Sequence, residues 1–202
     1  MQFRDISQDK DTLYALKENE QAVFFMENRA GEITFDLAGK GAAAHIFAIF
    51  IEEQGAKDLS LTQKHSARET ASHASVRSVL GGNAEVNYRG LIRIESGAGG
   101  SDASQESRAL LLSDAAKHST RPSLEILPKD VTCHHKASAS PLNKESLYYL
   151  ESRGLSKKDA AAVLINGFLG TTFEAMRDLG VPEETLTRIQ NAAFDKLLKL
   201  YA

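Results

Sequence analysis

Apolar residues in this chain change their repeat at Leu142, and that change constrains what can fold on either side. Upstream, short apolar runs alternate with polar residues and are broken by Gly, Asn and Ser; downstream, apolar residues recur every three or four positions. The first pattern suits strands with one buried face, the second amphipathic helices. The stretch that spans the change, Asp130 to Gly154, holds the only cysteine, Cys133, and two of the six histidines, His134 and His135.

Upstream, Ile33, Phe35 and Leu37 point one way and Thr34 and Asp36 the other, as in a strand. His45–Ile51 is apolar on both faces and suits a strand covered on each side. Leu59 and Leu61, Thr70–Leu80, Ala84–Ile94, Ser104–Leu112, Ser123–Leu127 and Val131–Ala139 continue the series, with Gly55, Gly81-Gly82-Asn83, Gly97 to Gly100 and Pro122 in the turns. Residues 1–30 are less regular. Asp11–Met26 reads either as a helix carrying Leu13, Leu16 and Phe24, or as a short helix followed by a strand at Ala22–Met26. Periodicity fits two architectures, an antiparallel sandwich or barrel and a β-helix of stacked coils.

Downstream, Asn143 is placed to cap a first helix through Leu147, Tyr148 and Leu150, with Gly154 at its C-terminal stop. Ser156 and Asp159 form a variant capping box before a second helix, which Gly167 and Gly170 are expected to interrupt. Pro182 opens a last helix carrying Leu186, Ile189, Ala193, Phe194, Leu197 and Leu198. Residues 143–202 carry eight basic and eight acidic side chains, so this module is neutral. It is expected either to pack on the β region or to dock another protein.

Bulk properties narrow the function classes. A chain of 202 residues, 42% apolar, with a formal charge of −3, gives no reason to expect nucleic acid or an anionic membrane surface as partner. No apolar run approaches the length of a membrane span, and the polar start MQFRDISQDKD is not read as a signal peptide. A single cysteine excludes an intramolecular disulfide and agrees with a reducing, cytoplasmic location.

In a strand, Cys133 and His135 lie on one face and His134 on the other. Thiolate and imidazole suit iron or zinc, so Cys-x-His is a usable ligand pair, although two ligands do not hold a cluster. The plainer reading is a small buried cysteine and a hydrogen-bonded histidine. His65 and His73 lie on successive strand candidates, but their spacing matches no compact metal motif; partly exposed surface histidines are expected. His45 and His118 have nothing local to single them out. Gly97 to Gly100 lacks the lysine of a phosphate loop, and no Gly-x-Ser-x-Gly elbow is present. Asp102, Glu106, Glu125 and Asp130 show no spacing that pairs two carboxylates, which leaves a β-helical carbohydrate-acting enzyme as the weakest reading.

Four blocks carry a resemblance: Tyr88-Arg-Gly-Leu-Ile-Arg-Ile; Gln105 with Leu110-Leu-Leu-Ser113; Asp130-Val-Thr-Cys-His-His-Lys-Ala137; and Leu147-Tyr-Tyr-Leu-Glu-Ser-Arg-Gly154, followed by Ala160 and Gly167-Phe168. In order and spacing they resemble the SufB/SufD family of iron–sulfur cluster assembly proteins. The resemblance implies a mainly β fold, a short right-handed parallel β-helix followed by a small C-terminal α-helical domain. With the change of repeat at Leu142 and a short coil stack whose end needs covering, an N-terminal cap segment is expected at 1–30, a β-helix core at 31–141 and a helical domain at 142–202. It further implies a non-catalytic scaffold subunit that pairs with a SufB-like chain and docks the ABC-type ATPase SufC through its helical end. Leu147, Tyr148, Arg153, Gly154 and Phe168 are the docking candidates. The family histidine of the Cys-x-His step falls on His135. Where SufB-type members carry a proposed sulfur-accepting cysteine, this chain has Glu106, which makes it SufD-like. Cys133, His135 and Glu106 are therefore the candidates for iron or an Fe–S cluster shared with a partner chain, with none expected bound to the chain alone. A homodimer is expected when the chain is studied by itself. A structural adaptor that has lost cluster chemistry is the alternative.

Overall fold

The computed structural model describes residues 1–200. The chain forms β1 (Gln2–Asp5), β2 (Leu13–Leu16), β3 (Gln21–Glu27), β4 (Gly31–Leu37), β5 (Ala43–Glu52), β6 (Ala56–His65), β7 (Ala71–Leu80), β8 (Glu85–Ile94), β9 (Asp102–Leu111), β10 (Lys117–Ile126) and β11 (Thr132–Pro141). Three helices follow: α1 (Lys144–Ser152), α2 (Lys157–Asp178) and α3 (Glu183–Leu200). Consecutive strands alternate between two sheets. One has the order β1-β3-β5-β7-β9-β11, the other β10-β8-β6-β4-β2. Every pairing is parallel. This is a parallel β-helix with two strands per coil, one of the two architectures that fit the periodicity and the one implied by the resemblance. In-register stacking puts residues from successive coils into straight rows, and inward and outward rows alternate.

The inward rows meet in a core that changes character along the stack. At the N-terminal end it is aromatic: Phe24 and Phe35 lie 4.8 Å apart, centre to centre, and Tyr14 stacks on Phe35 at 5.3 Å. One inward row then runs Phe24, Ile46, Ala74, Gln105, His135, from apolar to polar. The N-terminal end is closed. Ile6 is buried, and Arg29 holds the loop between β1 and β2 by donating to the carbonyls of Ile6 (2.8 Å) and Asp11, and to the Tyr14 hydroxyl (2.8 Å). The other end is open, with Leu124 and Ile126 of β10 each more than a third exposed and β11 largely in solvent. The uncovered interior thus lies after the last coil rather than before the first.

Residues 1–30 contain β1 to β3, which extend both sheets. The helix read at Asp11–Met26 does not form; nor does the short helix before Ala22. In β3, Ala22, Phe24 and Met26 fill the core while Val23 and Phe25 lie under the helices, so burial on both faces sets a strand there. His45–Ile51 is likewise covered on both sides: Ile46, Ala48 and Phe50 face inward, Phe47, Ile49 and Ile51 face the helices.

The helices begin where their caps predict. Asn143 Oδ1 accepts from the Ser146 amide at 2.8 Å, and Ser156 Oγ from the Asp159 amide at 3.1 Å. Gly154, at φ +94°, follows the end of α1. Gly167 and Gly170 do not interrupt α2, which is continuous from Lys157 to Asp178; its packing outweighs the modest helix cost of two glycines. Ile165, Leu169, Phe173 and Met176 of α2 and Leu186, Ile189, Ala193 and Leu197 of α3 pack on the outer face of the β1-to-β11 sheet, against Phe25, Phe47, Ile49, Ile51 and Val79. Ion pairs Lys196–Glu27 (2.8 Å) and Arg188–Asp5 (3.6 Å) fasten α3 to the first strands.

Candidate functional site

The sequence candidates gather around β9 and β11, on two faces of one sheet. Cys133 pairs with Ala103 and His135 with Gln105, whose side chains are buried in the coil interior. Cys133 packs against the small cluster of Ile92, Ile94, Ala98 and Ala103. It is half-buried, and His135, on the last strand at the open end, is exposed. Burial pushes the Cys133 thiol up, and the Asp102 carboxylate adds to that, so the protonated form is favoured at neutral pH.

Glu106 lies one step along β9 from Gln105 and points to the opposite, outer face, opposite Lys136. The strand alternation that unites Cys133 and His135 therefore separates both from Glu106. The Glu106 carboxylate is met by Arg77 at 2.6 Å and by Arg108 at 2.8 Å. Partial burial alone would raise the Glu106 carboxyl; the hydrogen bond and charge of Arg77, with Arg108, outweigh it and hold the group below its ordinary range. Arg77 is also 5.7 Å from the centre of the Phe168 ring of α2, so this cluster joins sheet to helix. Among the described residues no three His, Cys, Asp or Glu side chains converge as a metal-binding group. Cys133 and His135 fit an iron–sulfur species only as two donors from one side; the remaining donors would come from elsewhere.

The interior next to this end is unusually polar. Gln105 Nε2 donates to Gln63 Oε1 at 2.9 Å, and Gln63 Nε2 donates to Ser72 Oγ at 2.7 Å. The His65 ring lies 2.7 Å from both Thr70 Oγ1 and Ser72 Oγ. The Tyr88 hydroxyl, Gln105 Oε1, His118 Nδ1 and Thr120 Oγ1 are buried without a partner among the described residues. His65 is fully buried, not a surface residue, and His73 points outward, so the two do not share a face. His73 instead lies beside His45, a neighbour invisible to local sequence reading because the pairing register, not the chain, brings them together.

The docking candidates divide. Tyr148, Arg153 and Gly154 are exposed on α1 and its C-terminal end, and no residue of α1 is buried. Leu147 is half-buried at the junction with β11, and Phe168 is packed against the sheet beside Arg77. Among the described residues no helix is long and apolar enough to cross a membrane.

The fold is thus a parallel β-helix carrying a Cys-x-His step on its last strand, with an appended helical module. The SufBD core domain family model, described as SUF system FeS cluster assembly, matches residues 18–168. The chain belongs to this family of iron–sulfur cluster assembly proteins. It is 33% identical over 134 residues to an iron–sulfur cluster assembly SufBD family protein of Mycobacterium tuberculosis, covering 66% of this chain and 16% of that protein. It is 33% identical over 126 residues to SufD of Bacillus subtilis, covering 62% of this chain and 29% of that one. Against SufB of the same organism it is 29% identical over 134 residues, 66% of this chain and 29% of SufB. The chain thus matches less than a third of the length of these relatives.

Proposed function

We propose that this chain is a non-catalytic, SufD-like scaffold subunit of iron–sulfur cluster assembly in the cytoplasm. In this reading residues 1–30 cap the coil stack, residues 31–141 form the scaffold and residues 142–202 the docking module. The observation that carries it is the placement of Cys133 and His135 on the inward face of the last strand, at an open coil end. An unpaired parallel edge with uncovered Leu124 and Ile126 is suited to pairing with another chain, SufB-like or a second copy. Such pairing would face the two donors toward the partner's, where iron or a nascent cluster is the cargo. The exposed side of α1, with Tyr148, Arg153 and Gly154, is the surface offered to a SufC-type ATPase. ATP-driven movement of the helical module would then open or close the paired ends.

The adaptor reading, in which cluster chemistry has been lost, is favoured by one observation: Glu106 is already engaged by two arginines where SufB-type members carry a cysteine. Anaerobic reconstitution with iron and sulfide separates the readings, carried out with and without the ATPase and a SufB-like chain. Iron retained by wild type and lost in Cys133→Ala establishes the chain as a ligand donor. A stable complex with the ATPase but no iron in any mixture establishes the adaptor. Absence of any complex at micromolar concentrations rejects both.

A further inference from the structure

We propose that His45 and His73 form a two-imidazole site for a borderline divalent transition-metal ion on the outer face of the β-helix, oriented by Ser104. The site uses neither Cys133 nor His135, which face the interior, and it does not depend on the assembly reading.

The geometry comes from register. His45 pairs with His73, His73 with Ser104, and Ser104 with His134, so four successive coils place these side chains in one outward row. The His45 and His73 rings lie 5.1 Å apart, centre to centre, inclined by 35°. With metal–nitrogen bonds of about 2.1 Å, two imidazoles on one ion have ring centres roughly 5 Å apart. Adjacent parallel strands therefore hold the two rings at a centre-to-centre separation compatible with one ion between them. The rings differ in how they are held. His73 Nδ1 is 2.8 Å from Ser104 Oγ, which fixes the ring and leaves Nε2 as the ligand nitrogen. Among the described residues no group hydrogen-bonds the His45 ring, so neither of its nitrogens is committed to a protein partner. Both residues are partly exposed, which gives an ion access.

The chemistry suits a metal rather than an anion. Imidazole pairs favour zinc, cobalt, nickel or iron(II) over calcium or magnesium. With no third His, Cys, Asp or Glu converging among the described residues, the other coordination positions are left to water. Such a site exchanges its ion readily.

The test uses the full chain without a polyhistidine tag. Cobalt(II) is titrated and followed by its visible absorption, and zinc(II) is then used to displace it. We expect one equivalent to bind, and His45→Gln and His73→Gln each to weaken binding by at least about tenfold. Ser104→Ala should weaken it less, by releasing the His73 ring. Cys133→Ser and His135→Gln should leave it unchanged. Circular dichroism melts confirm that each variant is folded. Binding that survives both His45→Gln and His73→Gln, binding that is lost with Cys133→Ser, or no binding at millimolar metal would each overturn the proposal.

Discussion

Gly90 faces Gln105 across the coil interior so closely that a Cβ on Gly90 would lie 2.1 Å from Gln105 Oε1. The glutamine has little room to retreat, because its amide nitrogen donates to Gln63 and its side chain is buried. Gly90→Ala is expected to destabilise the fold by about 1–3 kcal/mol through overpacking and loss of the Gln105–Gln63 bond. Gln105→Ala in the same background should recover part of that loss. Urea denaturation midpoints of the two single variants and the double variant measure both quantities.

Arg77 and Glu106 should prove unequal partners. Glu106→Ala strips a nearly buried guanidinium of its carboxylate and is expected to cost about 3 kcal/mol. Arg77→Ala leaves Glu106 paired with Arg108 and partly hydrated, and should cost less, about 1–2 kcal/mol, despite removing the contact with Phe168. Denaturant unfolding of the two variants side by side gives the order, and the reverse order would show that the helix contact dominates.

His65 makes stability depend on pH. Burial is the chief reason its folded-state value falls from 6.5 to about 4; Asp102 opposes the shift and His73 adds to it. Below pH 6.5 the unfolded chain takes up a proton that the folded chain refuses. The contribution is therefore fully present above pH 6.5 and is lost as the pH falls toward 4, by about 3 kcal/mol in total. His65→Asn should flatten that part of the stability profile, measured as urea midpoints between pH 7.5 and 4.5.

Cys133 should be a sluggish nucleophile in the isolated chain. Burial and Asp102 both raise its thiol, so alkylation by iodoacetamide at pH 7 is expected to be slower than for a free cysteine and to rise steeply in the alkaline range. A rate equal to that of a free cysteine would show that the last strand is not held against Ile92 and Ile94.

The strands from Ile33 to Ile94 were legible because each has at least one face whose burial imposes a clear pattern, and the helix caps because Asn143 and Ser156 act on amides only three residues away. β1 to β3 were not. Residues Ala22 to Met26 are all buried, with core on one side and helices on the other, and a run without alternation does not distinguish strand from helix. Likewise, the Cys133–His135 face followed from alternation within one strand. The Glu106 separation and the His45–His73 pair depend on which coil residue meets which, and loop lengths of unequal size hide that register in the sequence.

The attachment of α3 to the first strands carries a consequence for the order of synthesis. Coils of a parallel solenoid can stack one by one as the chain emerges, each on the last. The outer faces of β3 and β5, with Phe25, Phe47 and Ile49, stay bare until α2 and α3 are made, and Glu27 and Asp5 wait for Lys196 and Arg188. A nascent chain released before its final turn of helix therefore carries a formed coil stack with an uncovered greasy flank, the kind of surface that chaperones hold.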